Sequence, residues 1–190
     1  RTRKNFRLKR KLFSANQNLT IVPVSEWVRD IVQESFLKGH EIGVITNGVD
    51  TNYFKPTSIE NISIDDKERL AGKFVIMAVS SQWKSGDKGL DDYVAMSKML
   101  QEDEVIVLVG VGNEVSKHFP KNMIGVKRTN NQKELAALYT RAEDVCSFSK
   151  AETFGLTIVE GYACGAPAVV YDNTALSSLI TPETGFVVPN

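Results

Sequence analysis

Cysteine and histidine are scarce in this chain. Cys146 and Cys164 sit in apolar runs without paired ligand spacing, and His40 and His118 have no partner at metal-ligand spacing. These absences argue against a zinc scaffold or a disulfide framework and predict buried free thiols in a reducing, cytoplasmic setting. No apolar run approaches the roughly 18 residues that span a bilayer. No internal repeat or low-complexity tract occurs, and no D-x-D pair stands in a metal-ligand context. Beyond the first dozen residues there is neither a groove-reading motif nor bases interleaved with aromatics, which sets nucleic acid aside as a partner.

What remains is an ordinary globular composition, 42% apolar and 24% charged over 190 residues. That length suits one well-cored domain, or one domain and part of another. The net charge of zero hides an asymmetry: residues 1–12, R-T-R-K-N-F-R-L-K-R-K-L, hold seven bases and no acid, so the remainder is acidic by seven. Phe6, Leu8, Leu12 and Phe13 among those bases permit a helix with a partial apolar face. It reads first as a solvated face, and second as a peripheral contact with an acidic membrane.

Apolar runs and helical spacings then alternate. Leu19–Val24 reads as a strand, and Ser25 caps a helix over Glu26–Leu37. Ile42–Ile45 reads as a second strand, followed by a loop with turn chemistry at Asn47-Gly48. Asn47 and Asp50 read as turn-formers or as site residues. The polar, irregular stretch 57–66 predicts a domain boundary. Phe74–Val79, Glu104–Val109 and Met123–Val126 read as buried strands, with a helix from Gly89-Leu90 and another over Gln132–Ala142. A further strand precedes Ser147, another follows Ala166, Asp172-Asn173-Thr174 predicts a cap for a short helix through Ile180, and residues 183–188 close the pattern. Continuous apolar strands alternating with helices predict an α/β fold, a doubly wound, Rossmann-like parallel sheet.

The stretch with the most chemistry is S-F-S-K-A-E-T-F-G-L-T-I-V-E-G-Y-A-C-G, residues 147–165. Glu152 lies in a loop after a strand, Phe154-Gly155 introduces a helix, and Glu160 falls within its first two turns. A helix N-terminus suits a phosphate, and carboxylates suit sugar hydroxyls. Either acid alone reads first as a partner of the helix dipole, and it is the spacing with Phe154-Gly155 between them that points to a ligand. Lys84 and Lys88 follow the carboxyl end of a strand, where open α/β sheets bind ligands. Loop lysines are also commonly just solvated.

E-T-F-G-L-T-I-V-E with the continuation G-Y-A-C-G-A-P resembles the E-x7-E segment of family-4 retaining glycosyltransferases of GT-B architecture, and the resemblance extends over nearly the whole chain. It implies transfer of a hexose-type sugar from a UDP- or GDP-sugar, without metal or other cofactor, to a glycan, lipid-linked or other acceptor. It implies that residues 1–56 are the tail of an acceptor-side domain with its connector, and that 67–190 are the donor domain, truncated at its C-terminus and inactive alone. It implies Glu152 and Lys88 as catalytic residues, on the sugar hydroxyls and the leaving diphosphate. Backbone N–H groups of Phe154, Gly155, Leu156 and Thr157 would take the phosphate, and Glu160 the ribose. Gly110 and Gly112 would form a glycine-rich turn beside the donor, with Arg128 near the base or ribose and Lys84 as a second cation. Trp83 departs from the pattern, since many relatives carry an arginine there.

Two other readings stand beside it. One is a non-catalytic sugar-nucleotide binding or regulatory module, which the intact acids and Lys88 weaken. G-V-G-N-E-V after a strand is two-thirds of a dinucleotide fingerprint, which points to an oxidoreductase. Val115 stands where the third glycine would be, and Lys127-Arg128 where an acid would hold the ribose of NAD.

Overall fold

The computed structural model describes residues 2–62, 67–129 and 131–190. Residues 63–66 of the expected boundary and Asn130 of the loop before the Gln132 helix lie outside the described residues. Contacts divide the chain into two compact units, 1–48 and 49–190. The division falls ahead of the stretch 57–66, because Phe54 and Ile62 are buried in the core of the second unit, Phe54 edge-to-face with Tyr139 at 6.2 Å.

The first unit contains α1 (Thr2–Ser14), β1 (Thr20–Ile21), α2 (Glu26–Glu34) and β2 (Glu41–Ile42). The two strands pair in parallel over two residues each, shorter than the apolar runs suggested. Helix α2 starts where predicted, the Ser25 hydroxyl accepting the Val28 N–H at 3.2 Å. It stops three residues early, where the Ser35 backbone turns extended and its hydroxyl donates to the Val32 carbonyl at 2.8 Å. No hydrogen-bonded turn forms at Asn47-Gly48. The turn lies at the start of the second unit, where the Asp50 carboxylate accepts the Asn52 N–H at 2.9 Å and its carbonyl accepts that of Phe54.

The second unit is built on six strands: β3 (Phe74–Val79), β4 (Glu104–Val109), β5 (Met123–Val126), β6 (Asp144–Ser147), β7 (Ala168–Tyr171) and β8 (Gly185–Val188). All pair in parallel, in the order β5-β4-β3-β6-β7-β8. Each carries apolar residues on both faces, which is why it reads as a continuous run. Val75, Met77, Val105 and Val107 join one core cluster with Leu138, Tyr139 and Ile158, while Ile76, Ala78, Ile106 and Leu108 join the other with Tyr93. The first cluster lies under α5 (Gln132–Arg141) and α6 (Leu156–Ala163), and the second under α3 (Leu90–Ser97).

This order has one reversal. The chain leaves β3 towards β4 on one side and returns to pair β6 on the other, so the helices after β3 and β6 cover opposite faces. The carboxyl ends of these two strands mark the reversal, the place where open α/β sheets take ligands.

Candidate functional site at the carboxyl ends of the strands

Lys88 ends the loop after β3 and Glu152 lies in the loop after β6. The structure brings them together: the Lys88 ammonium forms an ion pair with the Glu152 carboxylate and donates to the Ser149 hydroxyl at 3.1 Å. Both side chains are about three-quarters buried. The approach depends on Gly89, which has φ +68, and a Cβ there would lie 2.5 Å from the Phe148 carbonyl oxygen. The Lys150 N–H donates to the Asp87 carbonyl at 2.8 Å, so the backbones of the two loops are also joined beside the ion pair. Beneath them Phe148 stacks between Tyr93 (4.6 Å) and Tyr171 (4.9 Å), and the Tyr93 hydroxyl donates to the Cys146 carbonyl at 3.0 Å.

Three residues past Glu152, Gly155 opens α6 with φ +105. Its absent Cβ leaves room for Leu176, whose nearest methyl would be 2.6 Å away. Phe154 is buried and anchors this corner, Leu156 is exposed, and Thr157 is half-buried. In the first turn of α6 the Ile158 and Val159 N–H groups donate to the Gly155 carbonyl at 3.0 and 3.4 Å, which leaves those of Leu156 and Thr157 ahead of the helix's own acceptors, at the positive end of its dipole.

Glu160 lies one turn along α6 and joins a different partner. Its carboxylate accepts the Tyr139 hydroxyl of α5 at 3.0 Å, and burial raises its pKa against the lowering effect of that hydrogen bond. Tyr139 is fully buried, and burial together with the Glu160 charge raises its pKa well above the usual phenol value. A buried tyrosine requires a hydrogen-bond partner, so the inward position of Tyr139 on its helix was the available signal for this pair.

Arg128 and Gly110 meet in an open cleft of about 890 Å³, lined also by Ser80, Ser81, Asn131, Gln132 and Leu135. Asn131 shapes its edge by capping α5, accepting the Glu134 N–H at 2.9 Å. Glu160 is not among the residues lining this cleft. Lys84 is elsewhere again. It pairs with Glu114 at 2.6 Å, both side chains largely exposed, beside a neighbouring pocket of about 430 Å³ that Gly110 and Gly112 also line.

Trp83 is a core residue. It is buried, its indole N–H donates to the Val109 carbonyl at 2.8 Å, and it lies edge-to-face with Tyr93 at 5.6 Å. The dinucleotide fingerprint loses its structural context. The helix after it, α4 (Asn113–Ser116), is a single turn, and Gly112 has an ordinary extended φ of −77 with open space where a side chain would stand. The Asp172-Asn173-Thr174 cap also takes a different form. Only a 3-10 turn, Ser177–Leu179, forms downstream, and the Thr174 hydroxyl accepts the N–H of Glu152 at 3.1 Å. Among the described residues, no group of three or more His, Cys, Asp or Glu is arranged to hold a metal ion. No described helix is long and apolar enough to cross a membrane.

Comparison with known proteins places this geometry. Over 56 residues the chain is 39% identical to the GDP-mannose-dependent alpha-(1-6)-phosphatidylinositol dimannoside mannosyltransferase of Mycobacterium tuberculosis, a match covering 30% of this chain and 15% of the relative. In fold it resembles sucrose-phosphate synthase from Thermosynechococcus elongatus, with a TM-score of 0.79 and 19% identity, over 98% of this chain and 49% of that one. It also resembles Anabaena HepE solved in complex with UDP-glucose, with a TM-score of 0.74 and 21% identity, over 98% of this chain and 54% of that one. The C-terminal domain of a group 1 glycosyl transferase (LpcC) from Francisella tularensis matches 75% of this chain over 80% of its own length, with a TM-score of 0.57 and 19% identity. The chain thus spans about half the length of the larger solved relatives. The six-stranded parallel sheet is the domain fold of GT-B glycosyltransferases, and the model of glycosyl transferases group 1 matches residues 60–190, so the chain belongs to that family.

Proposed function

We propose that this chain supplies the donor half of a retaining hexosyltransferase that uses a nucleoside diphosphate sugar. The observation that carries the reading is the Lys88–Glu152 pair, held at the reversal of the strand order and three residues ahead of the N-terminus of α6. As the bond from the anomeric carbon to the phosphate oxygen breaks, positive charge grows on the sugar ring and negative charge on the leaving diphosphate. A site must answer both at once. Lys88 and the backbone N–H groups of Phe154, Gly155, Leu156 and Thr157 meet the phosphate oxygens. Glu152 meets the sugar hydroxyls and faces the cationic ring. Glu160 accepts from the ribose, with Tyr139 fixing its carboxylate. Arg128 and Gly110 border the space for the base, and Lys84 supplies a second cation once released from Glu114. The chemistry needs no metal, because lysine and helix N–H groups carry the phosphate charge.

HepE was solved with UDP-glucose and the mycobacterial relative is named for GDP-mannose, so the proposed donor is a UDP- or GDP-sugar. The acceptor, a glycan or lipid-linked sugar, would meet the other half of the longer enzyme. By itself this chain would bind donor and transfer nothing, since positioning the second reactant is worth roughly 7–11 kcal/mol of barrier. The bases of α1 with its exposed Phe6, Leu8, Leu12 and Phe13 fit peripheral contact with the acidic inner face of a membrane. The test of the donor reading is thermal unfolding with UDP-glucose, GDP-mannose and NAD. One sugar nucleotide should raise the midpoint and NAD should not. A rise with NAD alone would overturn the reading.

A further inference from the structure

Thr174 has φ +50, and it is the only non-glycine residue with positive φ among the described residues. A β-branched side chain is an outlier in that region, where glycine or asparagine is accommodated with far less strain. Such strain persists only where the surroundings over-determine it, and it gathers at functional sites. The surroundings here are explicit. The next two residues, Ala175 and Leu176, are fully buried, and Leu176 fills the space above Gly155. The Ala175 N–H donates to the Glu152 carbonyl at 3.3 Å, while the Thr174 hydroxyl accepts the Glu152 N–H at 3.1 Å. Both polar groups of the Glu152 backbone are therefore held by the loop after β7. The hydroxyl in turn donates to the Asn173 carboxamide oxygen at 3.4 Å, which leaves its lone pairs for Glu152. These two are the hydroxyl's hydrogen bonds among the described residues, one local to Asn173 and the other leaving the loop for Glu152.

We infer that Thr174 is a positioning residue: its strained hydroxyl fixes the backbone of Glu152, and thereby where that carboxylate meets the donor sugar. The inference rests on the reading of Glu152 as the acid that holds the sugar. Glycine at position 174 would adopt this backbone with less strain and fold as well, but it would leave the Glu152 N–H without its acceptor. Strain is retained where the hydroxyl is needed.

The test compares Thr174→Gly, Thr174→Ser and Glu152→Ala with the parent chain in two measurements. In the absence of ligand, hydrogen exchange is followed on the peptide covering residues 150–156. Thr174→Gly should speed exchange at the Glu152 amide about tenfold, the worth of one net hydrogen bond, with a thermal midpoint at or above that of the parent, and Thr174→Ser should exchange like the parent. Calorimetric titration then gives the affinity ratio of UDP-glucose to UDP and of GDP-mannose to GDP. Thr174→Gly should lower the ratio in the same direction as Glu152→Ala while leaving the free nucleotide's affinity within about twofold, and Thr174→Ser should restore it. Unchanged exchange in Thr174→Gly would overturn the inference. So would a ratio that falls for Glu152→Ala but stands for Thr174→Gly. If no pair binds, or if Glu152→Ala leaves the ratio alone, the sugar-holding role of Glu152 fails and the inference fails with it.

Discussion

At the amino-terminal rim of the six-stranded sheet, Arg141 donates to both oxygens of Glu143 at 2.8 and 2.9 Å and to the carbonyls of Leu70 and Lys73. Glu143 in turn accepts the Val75 N–H at 2.7 Å. Lys73 reaches the Glu102 carbonyl, Arg69 the Lys121 carbonyl at 2.6 Å, and Asn122 the Ser97 carbonyl at 2.6 Å. Each charge there ties one strand's approach to the next. At the carboxyl rim, Lys88 and Glu160 are held by other side chains and not by backbone carbonyls among the described residues. Lys88 meets a carboxylate and a hydroxyl, Glu160 a phenol, and Arg128 borders an open cleft. Charge bonded to backbone carbonyls builds the fold. Charge held by other side chains, and so exchangeable, is available to a ligand.

The comparison can be broken in four places. Arg141→Ala should cost roughly 2–3 kcal/mol, since it leaves the Leu70 and Lys73 carbonyls without their donor and the partly exposed Glu143 carboxylate with the Val75 N–H alone. Chemical unfolding would measure this, and nucleotide affinity should be unaffected. At the opposite rim, Glu160→Ala should weaken nucleoside diphosphate binding by roughly 1–3 kcal/mol through unpaired ribose hydroxyls. Calorimetry reads that loss, and Glu152→Ala should not share it on the free nucleotide.

Asp144 is the exception at the amino rim. One of its carboxylate oxygens is buried without a partner among the described residues, and burial raises its pKa to about 6 from an ordinary 3.8. An acid raised in the folded state stabilises while protonated, and that contribution is lost as pH rises through about 6. Asp144→Asn should therefore gain about 1–2 kcal/mol at pH 7.5, with partial exposure discounted, and the gain should vanish towards pH 4. Thermal midpoints across that range measure it. The smallest effect is expected for Lys84→Met: the exposed pair with Glu114 should contribute no measurable stability, whatever the variant does to ligand affinity.

The strands of the sheet interior were legible because a parallel strand covered on both faces is one apolar run, and Phe74–Val79 and Glu104–Val109 need no tertiary information to be read, whereas their order in the sheet came only from the structure. Type and spacing singled out Glu152 and Glu160 around a helix start and Lys88 after a strand end, while the roles proposed for them come from the resemblance. Partners across the sheet were not. That Tyr139 meets Glu160 depends on how α5 packs on α6, and that Trp83 is core depends on a carbonyl 26 residues away. Thr174 was read as a helix cap because Asp-Asn-Thr suits one. Only the fold directs its hydroxyl to a loop 22 residues upstream. The turn chemistry of this loop is used a few residues past Asn47-Gly48, where the Asp50 carboxylate accepts the Asn52 N–H.

Where a sugar nucleotide lands separates the two rims most directly. Amide chemical shifts of the isotopically labelled chain, titrated separately with UDP-glucose and GDP-mannose, would locate it. One of the two should move Gly110, Leu156 and Thr157 at the carboxyl rim and leave Lys73, Asn122 and Met123 at the amino rim in place. Largest shifts at the amino rim, or no shift with either donor, would contradict the account.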